Sequence, residues 1–394
     1  MKANRILAVL LGGLGCVLAA AVICLVVLLT GDAGKVQPAG SSDVTADSAP
    51  EAPAPESPGS EEEKPVERPL TGDPVTYIGR FKTLSDGRMR CSWSNSTVVA
   101  GFEGTGIAVN LRSSAGEDYV NVSVDDGEPV VLAITNRTER YVLAEGLEPG
   151  IHHVRIAKRL EGSKSYLTFS GFDYLDGTAA PTPAPRERRI EVIGDSITAG
   201  YGNEGPDDWS GFKNVEENAG ITYGALAAES LDAEATIIGW SGMGLHQDLG
   251  GGTTLLMPEI YQRTIGTISA ANWDFRQNIP DAVVVNLGTN DFASSVDPKA
   301  FEASYVEFIH FIREKYPDAA ILCVIGTIRY DAWNAIKSAV ETVNGEGDAN
   351  VYSFAFTPAS TLGEPNGTDG HPSAQTHARM AEELSGEIRR ICGW

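Results

Sequence analysis

The apolar run Ala282-Val283-Val284-Val285 limits the folds open to this chain more than any other segment. A strand without polar alternation is typical of a parallel sheet that helices cover on both faces. Between residue 178 and the C-terminus, short apolar runs alternate with segments of helical periodicity. The predicted strands are 190–193, 235–238, 282–287, 320–325 and 351–355, and the predicted helices are 221–231, 299–316, 332–343 and 374–391. Residues 178–394 therefore predict a three-layer α/β/α domain with a parallel sheet.

Residues 75–177 have a different pattern, in which short runs of alternating apolar and polar residues follow one another. Runs 107–111 and 120–124 are examples, and Asp125-Asp126-Gly127 follows the second as a hairpin turn signal. Turn signals recur about every ten residues, which is typical of a sandwich of antiparallel sheets. This segment therefore predicts an all-β sandwich domain.

The N-terminal residues predict a membrane anchor followed by a tether. Residues 6–30 are almost continuously apolar after Lys2 and Arg5, so residues 1–30 are long enough to cross a hydrocarbon core of ~30 Å. The basic flank predicts a cytoplasmic N-terminus and an extracellular remainder, and a cleaved signal peptide is the alternative. Residues 31–74 are rich in Ala, Pro, Ser and Glu, a composition typical of a disordered acidic linker.

Charge and cysteine content narrow the possible partners. The formal net charge of -23 at pH 7 argues against binding to nucleic acid or to an anionic membrane surface. Cys91, Cys323 and Cys392 lie beyond the apolar segment, and their spacing matches neither a metal site nor a disulfide framework. We expect mostly unpaired buried thiols, with one bridge involving Cys392 as the alternative.

A candidate nucleophile lies where the first predicted strand of the α/β domain ends. Gly194-Asp195-Ser196 directly follows strand 190–193, and active sites form at the carboxyl edge of a parallel sheet. The G-x-S-x-G motif of α/β-hydrolases is absent, because the segment 239–243 ends in Met243. By itself, Gly194-Asp195-Ser196 is compatible with an ordinary turn. Two further polar segments favour a serine nucleophile at Ser196.

These segments offer hydrogen-bond donors for an oxyanion. Gly288-Thr289-Asn290-Asp291 ends the apolar strand 282–287, and the Asn290 side-chain amide at that edge is a suitable donor. Ser241-Gly242-Met243-Gly244 follows the strand 235–238. A backbone N–H of this glycine-rich segment is a second candidate, and Gly242 is favoured over Gly244.

His371 is the candidate general base. Of the six histidines, it alone lies in a polar loop between a predicted strand and the final predicted helix. A carboxylate at the second imidazole nitrogen would hold the tautomer and stabilise imidazolium, and Asp369 is the candidate for that position. The sequence leaves open whether a spacing of two residues permits this contact. His246, after the glycine-rich segment, is a further candidate for lining the pocket.

Together, these segments resemble the SGNH (GDSL-like) hydrolases over residues 186–394. The β-rich region resembles the jelly-roll module of carbohydrate esterase family 2, which extends the resemblance to residues 75–394. The segments that carry it are 79–81, Trp93, 101–105, 150–154 and 171–173 in the β-rich region, with 223–228 and 273–275 in the α/β domain.

This resemblance implies a serine esterase that removes O-acetyl groups from polysaccharides such as xylan and glucomannan. Ser196 is expected to attack the acetyl carbonyl, and His371 to accept its proton and later to activate water. The backbone N–H groups of Ser196 and Gly242, with the Asn290 amide, are expected to hold the oxyanion. The expected partner is an acetylated polysaccharide or oligosaccharide, and no metal or cofactor is implied.

The chain departs from the family pattern at two positions. SGNH hydrolases commonly place Asp three residues before the base, where this chain has Thr368. Asp369 is one residue closer to the base, and a Ser-His dyad is the alternative to a triad. Relatives often carry an aromatic residue directly before the base, where this chain has Gly370. The candidates for sugar stacking elsewhere are Trp209, Trp240 and Trp333.

Other functions stay open at this point. One alternative is an esterase or acyltransferase that acts on peptidoglycan or another surface glycan. Another is a glycan-binding surface protein without catalysis, which the intact Ser196, Asn290 and His371 disfavour. The β-rich domain is predicted either to brace the catalytic domain or to bind carbohydrate. The expected location is the outer face of the cell membrane, and the sequence does not determine the oligomeric state.

Overall fold

The structure, a computed structural model, describes residues 68–394. The predicted anchor over residues 1–30 and the predicted linker up to residue 67 lie outside the described residues. Within residues 68–394, no helix has both the length and the apolar character needed to cross a membrane.

The N-terminal part of the described chain is a sandwich of two antiparallel sheets, as the alternating pattern predicts. The first sheet has the order β1 (Val75–Ile78), β4 (Thr97–Gly104), β9 (Gly150–Lys158), β6 (Asp118–Val124) and β7 (Val130–Ile134), and β11 (Thr178–Ala180) also pairs with β4. The second has the order β2 (Phe81–Thr83), β3 (Met89–Cys91), β10 (Leu167–Leu175), β5 (Gly106–Ser113) and β8 (Glu139–Ala144).

Apolar side chains from both sheets form one core between them. Phe102 of β4 and Leu111 of β5 are fully buried in this core. At one end, Asp125 and Asp126 both have positive φ and connect the paired strands β6 and β7. The hairpin predicted at this turn is therefore present.

The C-terminal part is a parallel sheet with helices. The strands lie in the order β13 (Ala233–Gly239), β12 (Arg188–Gly194), β14 (Ala282–Asn286), β15 (Ala320–Ile325) and β16 (Val351–Ala355). The helices are α1 (Ser196–Ala199), α2 (Tyr223–Ser230), α3 (Met257–Ile260), α4 (Pro298–Lys315), α5 (Trp333–Gly345), α6 (Ala359–Leu362) and α7 (Ala374–Cys392). Short 3-10 turns occur at Asn214–Glu216, Ala219–Ile221, Asp291–Ala293 and Thr368–Gly370.

Helices cover both faces of this sheet, which explains why β14 and β15 are buried along their whole length. α4 packs Phe301, Tyr305 and Phe308 into the core on one face, beside α5. α2 and α7 cover the other face through a separate apolar cluster. The predicted fold class is confirmed. The ends of the predicted strands and long helices of this domain lie within two residues of those in the structure.

Two predicted boundaries differ from the structure. A division at residue 178 separates β11 from its own sheet, because β11 pairs with residues 101–103 of β4. Residues 68–74, assigned to the linker by composition, lie along the joint between the domains, where the Thr71 N–H donates to the Thr182 carbonyl oxygen at 2.7 Å. Backbone pairing with distant residues leaves no signal in local composition, which explains both differences.

The cysteines of the described region are free thiols. Cys91 and Cys323 are buried, and Cys392 is partly exposed. Within residues 68–394, no disulfide joins any two of them, so the alternative of a bridge among these three is not observed. Burial raises the pKa of the Cys91 and Cys323 thiols to about 12, which keeps them protonated and unreactive at neutral pH.

Polar and aromatic contacts join the two domains. The buried Arg80 guanidinium donates to the Glu191 carboxylate at 3.1 Å and so connects the sandwich to β12. The Trp93 indole N–H donates to the Arg263 carbonyl oxygen at 3.1 Å, and its ring packs on Trp240 with centroids 6.0 Å apart. The sandwich therefore contacts the loop that follows β13.

Candidate active site

Three adjacent strands bring the candidate site residues to one edge of the parallel sheet. β12 lies between β13 and β14, and the carboxyl ends of the three strands are in register. Ser196 follows β12, Gly242 follows β13 and Asn290 follows β14. Segments far apart in sequence converge because neighbouring parallel strands end at the same edge.

Ser196 is the first residue of α1. Asp195 alone separates it from Gly194, the last residue of β12. The Asp195 side chain caps the helix by accepting the Ile197 N–H at 3.0 Å. A Cβ at Gly194 would lie 2.1 Å from the Thr198 hydroxyl oxygen, so glycine is required at this turn. The turn places Ser196 at the carboxyl edge of the sheet.

The His371 imidazole contacts the Ser196 hydroxyl. Nε2 of His371 lies 2.9 Å from Oγ of Ser196, which is the geometry of a nucleophile and its base. Burial lowers the pKa of His371, while the backbone carbonyls of Asp369 and Thr368 and the Asp369 charge act in the opposite direction. A lowered pKa keeps the ring neutral at pH 7, so Nε2 is available to accept the serine proton.

The structure does not bring Asp369 into a hydrogen bond with His371. The Asp369 carboxylate accepts the Tyr201 hydroxyl at 3.0 Å. Among the described residues, Nδ1 of His371 has no hydrogen-bond partner. The intervening backbone is left-handed, with φ of 56° at Asp369 and 73° at Gly370. In this turn the carboxylate lies against Tyr201 instead of the second ring nitrogen.

Tyr201 is a site residue that sequence reasoning missed. Its ring centroid lies 4.3 Å from that of His371, and Phe212 stacks on Tyr201 at the same distance. Burial, followed by the hydrogen bond to Asp369, raises the pKa of Tyr201, so its hydroxyl remains a donor at neutral pH. Aromatic packing therefore restricts the imidazole plane. The one available sequence signal is that Tyr201 directly follows the segment 194–200.

We expect Asp369→Asn to lower kcat for a small acetyl ester by less than about tenfold, because only the hydrogen bond to Tyr201 is weakened. The same change in a triad, where the carboxylate orients the base, lowers kcat by about 10⁴. Asparagine tolerates the left-handed conformation, so the turn is retained. Steady-state kinetics measure the effect. A loss near the 10⁴ typical of a triad would show that Asp369 orients the base during turnover.

Gly242 and Gly244 have different surroundings in the loop after β13. Gly242 has φ of 75°, and a Cβ there would meet no atom closer than the Leu249 Cβ at 3.9 Å. A Cβ at Gly244 would lie 1.8 Å from the Gln247 carbonyl oxygen and 2.7 Å from the Asp291 carboxylate. Gly244 is therefore needed for packing, whereas the open space beside Gly242 leaves room for a substrate oxygen.

The Asp291 carboxylate holds this loop from the end of β14. It accepts the backbone N–H groups of Leu245, His246 and Gln247 at 2.6 to 3.1 Å. Asp291 is fully buried, and burial raises the pKa of its carboxyl group. The His246 ring, a candidate for lining the pocket, hydrogen-bonds to Ser304 of α4 at 2.8 Å. This region is therefore a rigid support beside the candidate site.

Asn290 is buried next to the nucleophile turn. Its Nδ2 donates to the Met243 carbonyl oxygen at 2.8 Å and to the Asp195 carboxylate at 3.2 Å. These hydrogen bonds connect the loops that follow β12, β13 and β14. They place the Asn290 amide against the residue that precedes Ser196.

The three candidate stacking tryptophans differ in exposure. Trp240 and Trp333 are partly buried and pack against the apolar core. Trp209 is 82% exposed. A Cβ at Gly370 would lie 3.3 Å from the Trp209 ring, so the indole lies directly against the residue before His371. Of the three, Trp209 presents an open aromatic surface beside the candidate base.

The arrangement contains the groups that acyl transfer through serine requires. Ser196 and His371 form a nucleophile–base pair, and the Asn290 amide and the Gly242 loop lie at the same sheet edge. Within residues 68–394, no group of three or more His, Cys, Asp or Glu side chains is placed to hold a metal ion. Nucleophilic attack with proton transfer by imidazole is the chemistry that these residues support.

Family models match both domains. The model described as carbohydrate esterase 2 N-terminal matches residues 77–185. The model described as GDSL-like lipase/acylhydrolase family matches residues 192–379, a range that includes Ser196, Asn290 and His371. The gap between the two matches falls at the joint between the sandwich and the α/β domain.

Two relatives align with most of the chain. It is 37% identical over 326 residues to cellulase/esterase CelE of Acetivibrio thermocellus, covering 81% of this chain and 40% of CelE. It is 30% identical over 330 residues to an acetylxylan esterase/glucomannan deacetylase of Cellvibrio japonicus, covering 81% of this chain and 89% of that protein. The chain thus spans less than half of CelE and most of the Cellvibrio protein.

Solved structures show the same two-domain arrangement. A family two carbohydrate esterase from Clostridium thermocellum in complex with cellohexaose is 37% identical with a TM-score of 0.77, covering 81% of this chain and 99% of that chain. A family two carbohydrate esterase from Cellvibrio japonicus is 27% identical with a TM-score of 0.74, covering 82% and 97%. Both alignments extend over the sandwich and the α/β domain together.

Proposed function

This chain belongs to carbohydrate esterase family 2, and we propose that it is a serine esterase that removes O-acetyl groups from polysaccharides of the xylan or glucomannan type. The observation that carries the proposal is the 2.9 Å contact between Oγ of Ser196 and Nε2 of His371. The description of the Cellvibrio japonicus relative as an acetylxylan esterase and glucomannan deacetylase supports the substrate class.

In the proposed acylation step, Oγ of Ser196 attacks the acetyl carbonyl carbon while Nε2 of His371 accepts the hydroxyl proton. The carbonyl oxygen becomes an oxyanion, and its proposed donors are the N–H groups of Ser196 and Gly242 and the Asn290 amide. Collapse of this intermediate breaks the bond to the sugar oxygen, which leaves with the proton held by His371. The product of this step is acetylated Ser196.

Deacylation repeats the chemistry with water. His371 accepts a proton from water as the water oxygen attacks the acetyl carbon, and it then returns this proton to Oγ of Ser196 as the bond to the acetyl group breaks. The product is acetic acid, which ionises to acetate in solution. The lowered pKa of His371 keeps the ring neutral between these transfers. The transient imidazolium lies against the Tyr201 ring, whose face attracts a cation. In this mechanism the aromatic contact stabilises the charge that a carboxylate stabilises in a triad.

We expect Trp209→Ala to raise KM for an acetylated polysaccharide by about 3- to 10-fold, because stacking contributes about 0.5–1.5 kcal/mol beyond area burial. We expect the kinetics on a small acetyl ester to stay almost unchanged, because such an ester has no sugar ring to stack on the indole. Trp209→Phe retains an aromatic face and serves as the matched variant. Equal losses on both substrates would show that the indole supports the loop instead of the substrate.

The experiment that tests the proposed function measures acetate release by the full chain, with Ser196→Ala beside it. The substrates are acetylated xylan, acetylated glucomannan and O-acetylated peptidoglycan. We expect release from a plant polysaccharide that disappears in Ser196→Ala. Release from peptidoglycan alone would replace the substrate class by a bacterial surface glycan. No release from any of them, or from a small acetyl ester, would contradict the esterase activity and favour glycan binding.

We also propose that the protein is held at the outer face of the cell membrane by residues 6–30. The apolar length of this segment and the basic residues Lys2 and Arg5 before it support the proposal. We expect full-length protein in the membrane fraction, digested by protease added to intact cells. A shortened protein found in the medium alone would show that the leader is cleaved.

A further inference from the structure

A segment of the sandwich domain reaches the loop that carries Gly242. This segment, residues 159–166, connects β9 to β10. Glu161 within it is 0% exposed, and its Oε2 accepts the backbone N–H of Ser241. Ser241 directly precedes Gly242. A side chain of one domain is thus bonded to the backbone of the other, one residue away from a proposed oxyanion donor.

Glu161 is itself held in place from several sides. Its Oε1 accepts the Ser163 hydroxyl at 2.5 Å, and the Lys164 ammonium lies 3.9 Å from the same oxygen. The backbone N–H of Glu161 donates to Oε1 of Glu217 at 2.5 Å, which fastens the segment to the α/β domain. Both carboxylate oxygens and the backbone of Glu161 therefore have partners, and the side chain has one orientation.

Glu217 adds a second buried carboxyl group next to Glu161. Burial, followed by the charge of Glu161, raises the pKa of Glu217 well above its usual value. A raised pKa favours the protonated form of Glu217, which reduces repulsion between the two carboxyl groups. This pairing allows Glu161 to remain the acceptor for Ser241 at a fully buried position.

The orientation of Gly242 depends on its neighbours. It has φ of 75°, and the space where a side chain would lie is open. On its N-terminal side, Trp240 packs on Trp93 of the sandwich, and Ser241 is bonded to Glu161. On its C-terminal side, the Asp291 carboxylate holds residues 245–247. The direction of the Gly242 N–H is therefore set by contacts of the flanking residues.

We propose that Glu161 is a positioning residue that directs the Gly242 N–H at the oxyanion, so that the sandwich domain completes the active site. An oxyanion donor is effective only when it is pre-oriented toward the charge that develops in the transition state. The role rests on the serine esterase mechanism proposed above. It predicts that Glu161 affects kcat more than KM, although it touches neither the substrate nor Ser196.

The test compares Glu161→Ala with Glu161→Gln on p-nitrophenyl acetate. We expect Glu161→Ala to lower kcat about 10- to 100-fold with KM nearly unchanged, because losing one donor costs about 10²–10³ and misorienting it costs less. Glutamine keeps a side-chain carbonyl that can accept the Ser241 N–H. Glu161→Gln is therefore expected to recover most of kcat.

A matched control removes a different hydrogen bond between the domains. Nδ2 of Asn214 in the α/β domain donates to the Glu117 carbonyl oxygen of the sandwich at 3.0 Å, and Asn214→Ala deletes this bond. We expect kcat of this control to match the wild type. Amide hydrogen exchange, followed by mass spectrometry, should accelerate over residues 240–244 in Glu161→Ala and stay unchanged in Asn214→Ala.

The outcomes separate this role from the proposed function. A folded Glu161→Ala protein with full kcat overturns the role of Glu161. Equal losses of kcat in Glu161→Ala, Glu161→Gln and Asn214→Ala also overturn it, because they indicate general loosening of the interface. A wild type that does not hydrolyse the ester contradicts the proposed function. In that case, unchanged exchange over 240–244 in Glu161→Ala would independently show that Glu161 does not hold the loop.

Discussion

Ser196→Ala and His371→Ala are each expected to lower kcat for acetyl-ester hydrolysis by about 10⁴–10⁶, and the double variant is expected to lose no more than either one. The two side chains are joined by one hydrogen bond of 2.9 Å between Oγ and Nε2. Without the imidazole, the serine hydroxyl keeps its proton and remains a weak nucleophile. Without the serine, the imidazole has no attacking group to activate, so either change disables the pair.

Steady-state kinetics of the single and double variants on a small acetyl ester measure this effect. His310→Ala is the matched control, because His310 is exposed on α4 and hydrogen-bonds to Glu346 at 2.7 Å, away from Ser196. We expect the control to keep the wild-type kcat. Losses that add up in the double variant would show that Ser196 and His371 act in separate steps, contrary to the proposed mechanism.

Asn290→Ala is expected to lower kcat by about 10²–10³ with little change in KM, because it removes one oxyanion donor. In the structure, Nδ2 of Asn290 donates to the Met243 carbonyl and to the Asp195 carboxylate. A developing oxyanion is charged and competes for these hydrogens better than the neutral carbonyl of Met243. The hydrogen bond from Asn290 is therefore stronger in the transition state than with the bound ester, so its loss lowers kcat and leaves KM almost unchanged.

A loss of stability must be separated from this loss of rate. Asn290→Ala leaves two buried acceptors with one donor fewer, which lowers the free energy of unfolding by about 1–3 kcal/mol. Thermal unfolding defines the temperature below which kcat is measured on folded protein. Asn278→Ala, which deletes a 2.9 Å bond to Thr236, is the matched control. An increase in KM at unchanged kcat would show that Asn290 binds the substrate instead of the transition state.

Local patterns predict the strands and helices of the α/β domain because each buried position requires an apolar residue, which leaves a recognisable spacing in the sequence. β14 is apolar throughout because the sheet is covered on both faces. α4 repeats its large apolar residues at helical spacing because one side of the helix lies in the core. The pairing of β11 with β4 has no such local signature, and the predicted domain boundary at residue 178 misses it.

The positions of the polar segments, each directly after a predicted strand or before a predicted helix, also predict most of the candidate site. Ser196 and Asn290 follow adjacent parallel strands, whose carboxyl ends meet at one edge. His371 precedes the last helix and reaches Ser196 from there. The proximity of Asp369 in sequence does not predict its partner. Because the backbone is left-handed at Asp369 and Gly370, the carboxylate is bonded to Tyr201.

Local patterns and short motifs are enough to predict an all-β domain followed by an α/β domain and to indicate the family. They also identify the candidate nucleophile, amide donor and base, because each lies in a short motif. The side chains that support these site residues became visible once the chain was folded. Glu161 meets Ser241 across the domain interface, and Trp209 lies against Gly370 from a separate loop. Such contacts depend on the path of the backbone between distant segments, and this path cannot be predicted from a local periodicity or motif.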